Sequence, residues 1–148
     1  MPAEGTIIAC PECGTKNRVR SSPSGVPRCS VCHTGLPWIV DATPDSFDEE
    51  INASVPVLVD FWAPWCGPCL MVSPTVERAA REHAGQLKVV KLDVDKAPDV
   101  SDRYQVRGIP LLVLFRDGSE VARLVGAVPQ AQLNEWLEAH LAAASGRA

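Results

Sequence analysis

Six cysteines carry most of the chemistry available to this chain, and they fall into three Cys-x-x-Cys pairs. The pair in Trp65-Cys66-Gly67-Pro68-Cys69 follows the apolar, β-branched run Val57-Leu58-Val59-Asp60-Phe61-Trp62. Such a run suits a strand buried on both sheet faces. Beyond the pair, Leu70, Met71, Val72, Val76, Ala79 and Ala80 recur at helical spacing. Cys66 and Cys69 therefore belong at a strand-to-helix junction, close enough to form or break a disulfide with little backbone motion. Cys66 falls at the helix N-terminus, where free N–H groups and the macrodipole favour its thiolate. Pro68 suits an early helical position that needs no N–H donor. The chemistry predicted is thiol–disulfide exchange.

Two further residues break the apolar pattern. Asp60 interrupts a strand, and a carboxylate there is desolvated with a raised pKa, as a proton acceptor requires. The competing reading is an Asp at a strand end satisfied by a backbone N–H. Lys91 breaks Val89-Val90-Lys91-Leu92 and reads, taken alone, as a solvated strand-edge lysine. Pro110 precedes a buried strand, where it cannot donate to a ladder.

The other pairs, Cys10-Pro11-Glu12-Cys13 and Cys29-Ser30-Val31-Cys32, are separated by fifteen residues. That spacing reads as a four-cysteine site for one structural Zn²⁺, with all four tetrahedral positions taken by thiolates. So small a segment has almost no core, leaving metal–sulfur bonds to supply its folding energy. Gly14 fits a tight turn after Cys13, whereas His33 stands at the corresponding place after Cys32. Two disulfides compete with zinc but need an oxidising compartment. A c-type haem attachment at Cys29-x-x-Cys32-His33 also competes, but leaves Cys10 and Cys13 unexplained.

The chain has 148 residues, 46% hydrophobic and 22% charged, enough for one ordinary core and a small module. No stretch approaches the roughly 18 apolar residues that span a bilayer. Met1 to Thr6 lacks the basic-then-apolar pattern of a signal peptide, so the expected compartment is the cytoplasm. The formal net charge of −4 is uneven: residues 1–37 carry four basic side chains against two acidic ones. This change, the Ser/Pro/Gly cluster at residues 21–25, and Gly35 and Pro37 place a boundary there. The expected division is a zinc-binding module at 1–37 and a redox domain at 38–148.

Ile39-Val40 predicts a short strand, and Thr43 the N-cap of a helix with Pro44 first and Phe47 and Ile51 buried. The strand 57–62 and the cysteine helix follow, with a kink at Pro74. Leu87–Val94 predicts a strand, Ala97–Tyr104 a short helix and Leu111–Phe115 a deeply buried strand. Asp117-Gly118 predicts a hairpin into Glu120–Val125. Leu133, Trp136, Leu137 and Leu141 mark a terminal amphipathic helix over 129–144. The order gives an α/β fold: a central mixed sheet flanked by helices, with the Asp-Gly hairpin as its antiparallel pair.

From Trp38 onward the chain resembles the thioredoxin family. The landmarks are Asp60-Phe61-Trp62-Ala63-Pro64-Trp65-Cys66-Gly67-Pro68-Cys69, Lys91-Leu92-Asp93-Val94-Asp95, Gly108-Ile109-Pro110 and Val125-Gly126-Ala127. With the front cysteines and Asn17-Arg18-Val19 included, it resembles the zinc-binding second type of bacterial thioredoxin. The resemblance implies a thioredoxin fold behind a zinc ribbon. It makes Cys66 the exposed nucleophile, Cys69 the buried resolving thiol, Asp60 the proton acceptor and Lys91 its neighbour. It implies a cis Ile109–Pro110 bond facing Cys66, and a substrate groove bordered by Trp65, Gly67, Pro68, Gly108, Ile109, Pro110 and Gly126. Gly126 equally suits a turn needing positive φ. Leu111 stands where the family commonly has threonine. The implied activity is cytoplasmic protein-disulfide reduction by a monomer with no bound organic cofactor, recharged by NADPH through thioredoxin reductase and serving disulfide-containing clients. A rival reading is a zinc ribbon that binds RNA or a client, regulated by the redox domain. Its support is weak, since no aromatic platform interleaves the basic residues between Ile7 and Pro37. Oxidant or isomerase work is a third reading, but the Gly-Pro dipeptide resembles the reducing subgroup.

Overall fold

The structure, a computed structural model, describes residues 6–19 and 25–145, so most of the 21–25 cluster lies outside the described residues. β1 (Thr6–Ala9) and β2 (Lys16–Val19) pair antiparallel as a small ribbon. β3 (Trp38–Asp41), β4 (Val57–Trp62), β5 (Lys88–Asp93), β6 (Leu111–Arg116) and β7 (Ser119–Val125) form one sheet, in the order β3-β5-β4-β6-β7. Helices α1 (Phe47–Glu50), α2 (Gly67–Glu82), α3 (Pro98–Arg103) and α4 (Gln130–Ser145) complete the thioredoxin fold.

β3 and β4 run parallel to β5, while β6 is antiparallel to both β4 and β7. Within this sheet the Asp-Gly hairpin therefore supplies only one of two antiparallel pairs. The reason is α3. Its six residues rise only about 9 Å, less than half the ~20 Å of a six-residue strand. It does not return the chain along the sheet, so β6 sets off from the end where β5 stops.

Alternation along β4 divides the core. Val57, Val59 and Phe61 meet Phe47, Val90 and Phe115 on one face, while Leu58 meets Val72, Val76 and Ala79 of α2 on the other. α4 adds Leu133 and Leu137 to that second face. On α2 the buried stripe is Cys69, Val72, Val76, Ala79 and Ala80. Leu70 and Met71 do not join it; they remain 53% and 72% exposed. The helix continues through Pro74 to Glu82.

α1 begins later than the sequence predicts, with Ser46 rather than Thr43 at the N-cap. Thr43 Oγ1 accepts the Ser46 N–H at 3.1 Å and Ser46 Oγ accepts the Thr43 N–H at 2.9 Å. This reciprocal pair closes a turn, and Pro44 lies inside that turn instead of opening the helix. Phe47 and Ile51 are buried as expected.

The front segment is not short of a core; it shares one with the sheet. Cys10, Val19, Cys29 and Leu36 belong to the same buried cluster as Trp38, Phe47 and Phe61. Beneath Trp38, Lys88 is wholly buried and donates to the Glu50 carboxylate at 2.7 Å and the Glu50 carbonyl at 2.8 Å. Its Nζ lies 4.6 Å from the Trp38 ring centroid. Gly35 passes against the chain leaving α2. A Cβ there would stand 3.3 Å from Gly85 Cα and 3.4 Å from the Ala84 carbonyl, all backbone atoms. Gly35→Ala is therefore expected to destabilise the protein by about 1–3 kcal/mol. Thermal denaturation reads this as a melting point several degrees lower; an unchanged melting point would show that this contact is loose.

Candidate functional site

Cys66 is the N-cap of α2, with extended backbone (φ −90°, ψ 107°), and Cys69 lies one turn inside the helix. The two are joined as a disulfide with Cα atoms 5.2 Å apart. Cys66 Sγ accepts the Cys69 N–H at 3.2 Å, so a helix-terminal donor already points at this sulfur. Cys66 is 4% exposed and Cys69 1%. The accessibility implied for Cys66 is thus slight: with the disulfide closed, it packs with Ala63 and Cys69, flanked by Trp62, Val94 and Ile109. Gly67 and Pro68 are exposed at the helix start.

The Ile109–Pro110 peptide is cis, and the Ile109 carbonyl oxygen lies 4.0 Å from Cys66 Sγ. Gly126 meets the turn reading of the sequence. It turns with φ +95°, and its N–H donates to the Pro110 carbonyl at 2.9 Å, binding the two loops together. Gly108 is exposed beside them. Trp65 is 70% exposed, yet its indole N–H donates to Asp95 Oδ2 at 2.6 Å. Asp95 in turn donates its backbone N–H to Asp93 Oδ1 at 3.0 Å. Sequence reasoning gave Asp95 no role, although the Asp93-Val94-Asp95 spacing is suited to such a turn.

Asp60 shares the face of β4 that carries Leu58, the face that α2 covers. It is wholly buried, and neither carboxylate oxygen has a hydrogen-bond partner among the described residues. Burial pushes its pKa from 3.8 to about 7; Lys91, its register partner on β5, pulls down and Glu77 pushes up. Lys91 is no solvated edge residue. Its Nζ donates to Ser73 Oγ at 2.6 Å, approaches Glu77 Oε2 at 3.8 Å, and lies 5.3 Å from the Trp62 ring centroid. Ser73 and Glu77, themselves linked at 3.3 Å, were missed in the sequence. Their signal was a polar i, i+4 pair on α2 opposite the break that Lys91 makes in β5.

The sulfurs of Cys10, Cys13, Cys29 and Cys32 all lie within 4.8 Å of one another. Cys10–Cys32 and Cys13–Cys29 are each 3.5 Å apart, too far for disulfides and near the ~3.8 Å edge of a tetrahedron with Zn–S bonds of about 2.3 Å. The four residues fit one tetrahedral metal ion. Each loop repeats one design. Cys10 N–H donates to Thr15 O and Gly14 N–H to Cys10 O, as Cys29 N–H does to Thr34 O and His33 N–H to Cys29 O. His33 takes φ +67° where Gly14 takes +79°, so it serves as the turn residue of the second loop. Backbone N–H groups of Glu12 and Val31 donate to Cys10 and Cys29 sulfur at 3.4 Å. The Cys32 N–H leads the influences that draw the Cys29 thiol down to about 5, while burial pushes Cys10 up to about 11.

A cysteine pair at the head of a helix, beside a cis proline on a mixed sheet, defines a thiol–disulfide oxidoreductase. The thioredoxin family model matches residues 38–139. Thioredoxin 1 of Nostoc sp. (strain PCC 7120) is 49% identical over 100 residues, 67% of this chain and 94% of its own. Thioredoxin of Pseudomonas aeruginosa is 47% identical over 104 residues, 70% of this chain and 96% of its own. Thioredoxin of Synechocystis sp. is 46% identical over 109 residues, 73% and 99% respectively. The chain belongs to the thioredoxin family, and its activity is that of a protein-disulfide oxidoreductase.

The titration of Asp60 has a consequence for stability. Between pH 3.8, where the unfolded side chain titrates, and about 7, the folded state holds the extra proton. Stability therefore falls as pH rises through that window and levels off above it. Asp60→Asn removes this loss. It is expected to stabilise the protein by up to about 4 kcal/mol at pH 8 and to change little at pH 3.5. Urea denaturation at the two pH values checks this; an equal change at both would mean that Asp60 is not the titrating group.

Proposed function

We propose that the protein is a protein-disulfide reductase working through Cys66 and Cys69, recharged by NADPH-dependent thioredoxin reductase. The observation that carries this reading is the closed Cys66–Cys69 pair at the α2 N-terminus, against the cis Ile109–Pro110 bond. In the reduced protein the Cys66 thiolate, favoured by the helix end, attacks a client disulfide. A Cys66–client bond forms and one client thiolate leaves. Asp60, ionised near neutral pH, takes the proton of Cys69, and the Cys69 thiolate attacks Cys66 Sγ. The second client thiolate is released and the Cys66–Cys69 disulfide closes, so the client gains the two electrons that the pair loses. Lys91 moderates the pKa of Asp60. Trp65, Gly67, Pro68, Gly108, Ile109, Pro110 and Gly126 border the groove, in which an extended client segment lies along the Ile109 backbone.

The front cysteines, Cys10, Cys13, Cys29 and Cys32, hold one structural Zn²⁺. Thiolates take all four positions, and such a metal supplies cross-linking rather than catalysis. Residues 1–37 form this module and 38–148 the catalytic domain. Each chain carries a complete cysteine pair and works as a monomer. The cytoplasm, where thiols stay reduced, suits both free zinc thiolates and a reducing pair. No described helix is long and apolar enough to cross a membrane.

Two substitutions test the assignment. Cys66→Ser is expected to abolish insulin reduction driven by NADPH and thioredoxin reductase, and Cys69→Ser to accumulate a mixed disulfide through Cys66. Trapping through Cys69 in the Cys66→Ser protein would reverse the roles. Asp60→Asn is expected to slow release of the mixed disulfide at least about tenfold at neutral pH and to remove the pH dependence of that step near 7. An unaltered pH–rate profile would leave Asp60 a structural residue.

A further inference from the structure

We infer that Asn17 positions the metal cluster by tying its two cysteine loops together. The inference rests on the zinc reading above but concerns a residue that supplies no ligand. Asn17 lies on β2 next to inward-facing Val19 in the alternation and is only 7% exposed. A buried carboxamide is costly unless its polar atoms are paired. Here both ends are used. Nδ2 donates to the Thr15 carbonyl at 3.0 Å, and Oδ1 accepts the Ser30 N–H at 2.9 Å.

Those two partners stand at different places in the two loops. The Thr15 carbonyl also receives the Cys10 N–H at 2.8 Å, the bond that closes the first loop. Ser30 directly follows Cys29 at the entry of the second. Asn17 thus spans from the closure of one loop to the entry of the other. The loops otherwise share one design, but they differ where Asn17 reaches. Pro11 follows Cys10, whereas Ser30 follows Cys29. Proline offers no N–H, so this donor exists only in the second loop. Without Asn17 it would lose its partner at the edge of the metal site. Residues that orient ligands in this way commonly change metal affinity by 10–100-fold.

A double-mutant cycle in the full chain tests the inference, with zinc affinity read by competition against a chromogenic chelator. Asn17→Leu keeps the approximate volume and removes the acceptor; Ser30→Pro removes the donor in a loop whose twin already accepts proline. Asn17→Leu is expected to weaken zinc about 10–100-fold, and Ser30→Pro to weaken it as well. Combined, they should cost no more than Asn17→Leu alone, because proline deletes the N–H that leucine orphans. If Asn17→Leu takes up no metal, Ser30→Pro alone decides: a loss of about tenfold or more supports the inference, and an affinity closer to that of the parent chain overturns it. Additive losses overturn it too, as does an Asn17→Leu affinity within threefold of the parent chain. A parent chain that takes up no zinc would instead end the zinc reading, a result distinct from equal affinities.

Discussion

β4 is enclosed on every side, and the redox site follows from that enclosure. β5 and β6 satisfy its backbone at both edges, while α1 and α2 help cover its two faces. Five of its six residues are buried, and Asp60 is the one acid among them. In that buried setting a carboxylate with no hydrogen-bond partner among the described residues holds its proton to near neutrality, and Lys91 on the next strand limits how far its pKa rises. The end of the same strand leads, four residues on, to Cys66 at the head of the helix that covers Asp60. The buried carboxyl and the cysteine pair are therefore two products of one buried strand and the helix laid over it.

The front ribbon is fixed by two kinds of force. The clustering of four cysteine sulfurs defines its cysteine end, and apolar burial defines its other end, where Leu36 and Trp38 enter the core of the sheet domain. Lys88 beneath Trp38 shows how close-fitting that junction is. A buried ammonium is tolerated only with partners, and it has the Glu50 carboxylate, the Glu50 carbonyl and an aromatic face. Division of the chain at residue 37 follows the sequence composition, while the packing runs across it.

Much of this was legible because the signals were local. The apolar run 57–62, the Asp117-Gly118 turn and the spacing of Leu133 and Leu137 each announce an element whose period or turn chemistry is self-contained. What escaped depended on tertiary context. Thr43 and Ser46 are equally good caps by type; their reciprocal hydrogen bonds close a turn ahead of the regular helix, which starts only after Ser46. Leu70 and Met71 carry the right polarity for the core but the wrong angular position on α2. The direction of β6 depended on α3 being too short to recross the sheet. At the candidate site, the cysteines, Asp60, the proline and Lys91 were visible as residues out of pattern. Ser73, Glu77 and Asp95 were not, because polar residues on helices and turns are commonplace until their partners are known.

β7 ends the sheet, and its edge matters to a molecule that exposes Trp65, Leu70 and Met71 around a reactive cysteine pair. An unpaired strand edge invites another strand to add to it. Here the pairing with β6 slips between Leu114 and Phe115, leaving Val121 as the extra residue of a bulge. Arg123 forks onto the Glu120 carboxylate at 2.6 and 2.8 Å, placing a charge pair on the same strand. An incoming strand would meet a skewed ladder and have to desolvate an arginine and a glutamate. The edge thus discourages sheet-to-sheet aggregation, which lets an apolar surface beside the cysteine pair stay uncovered in solution.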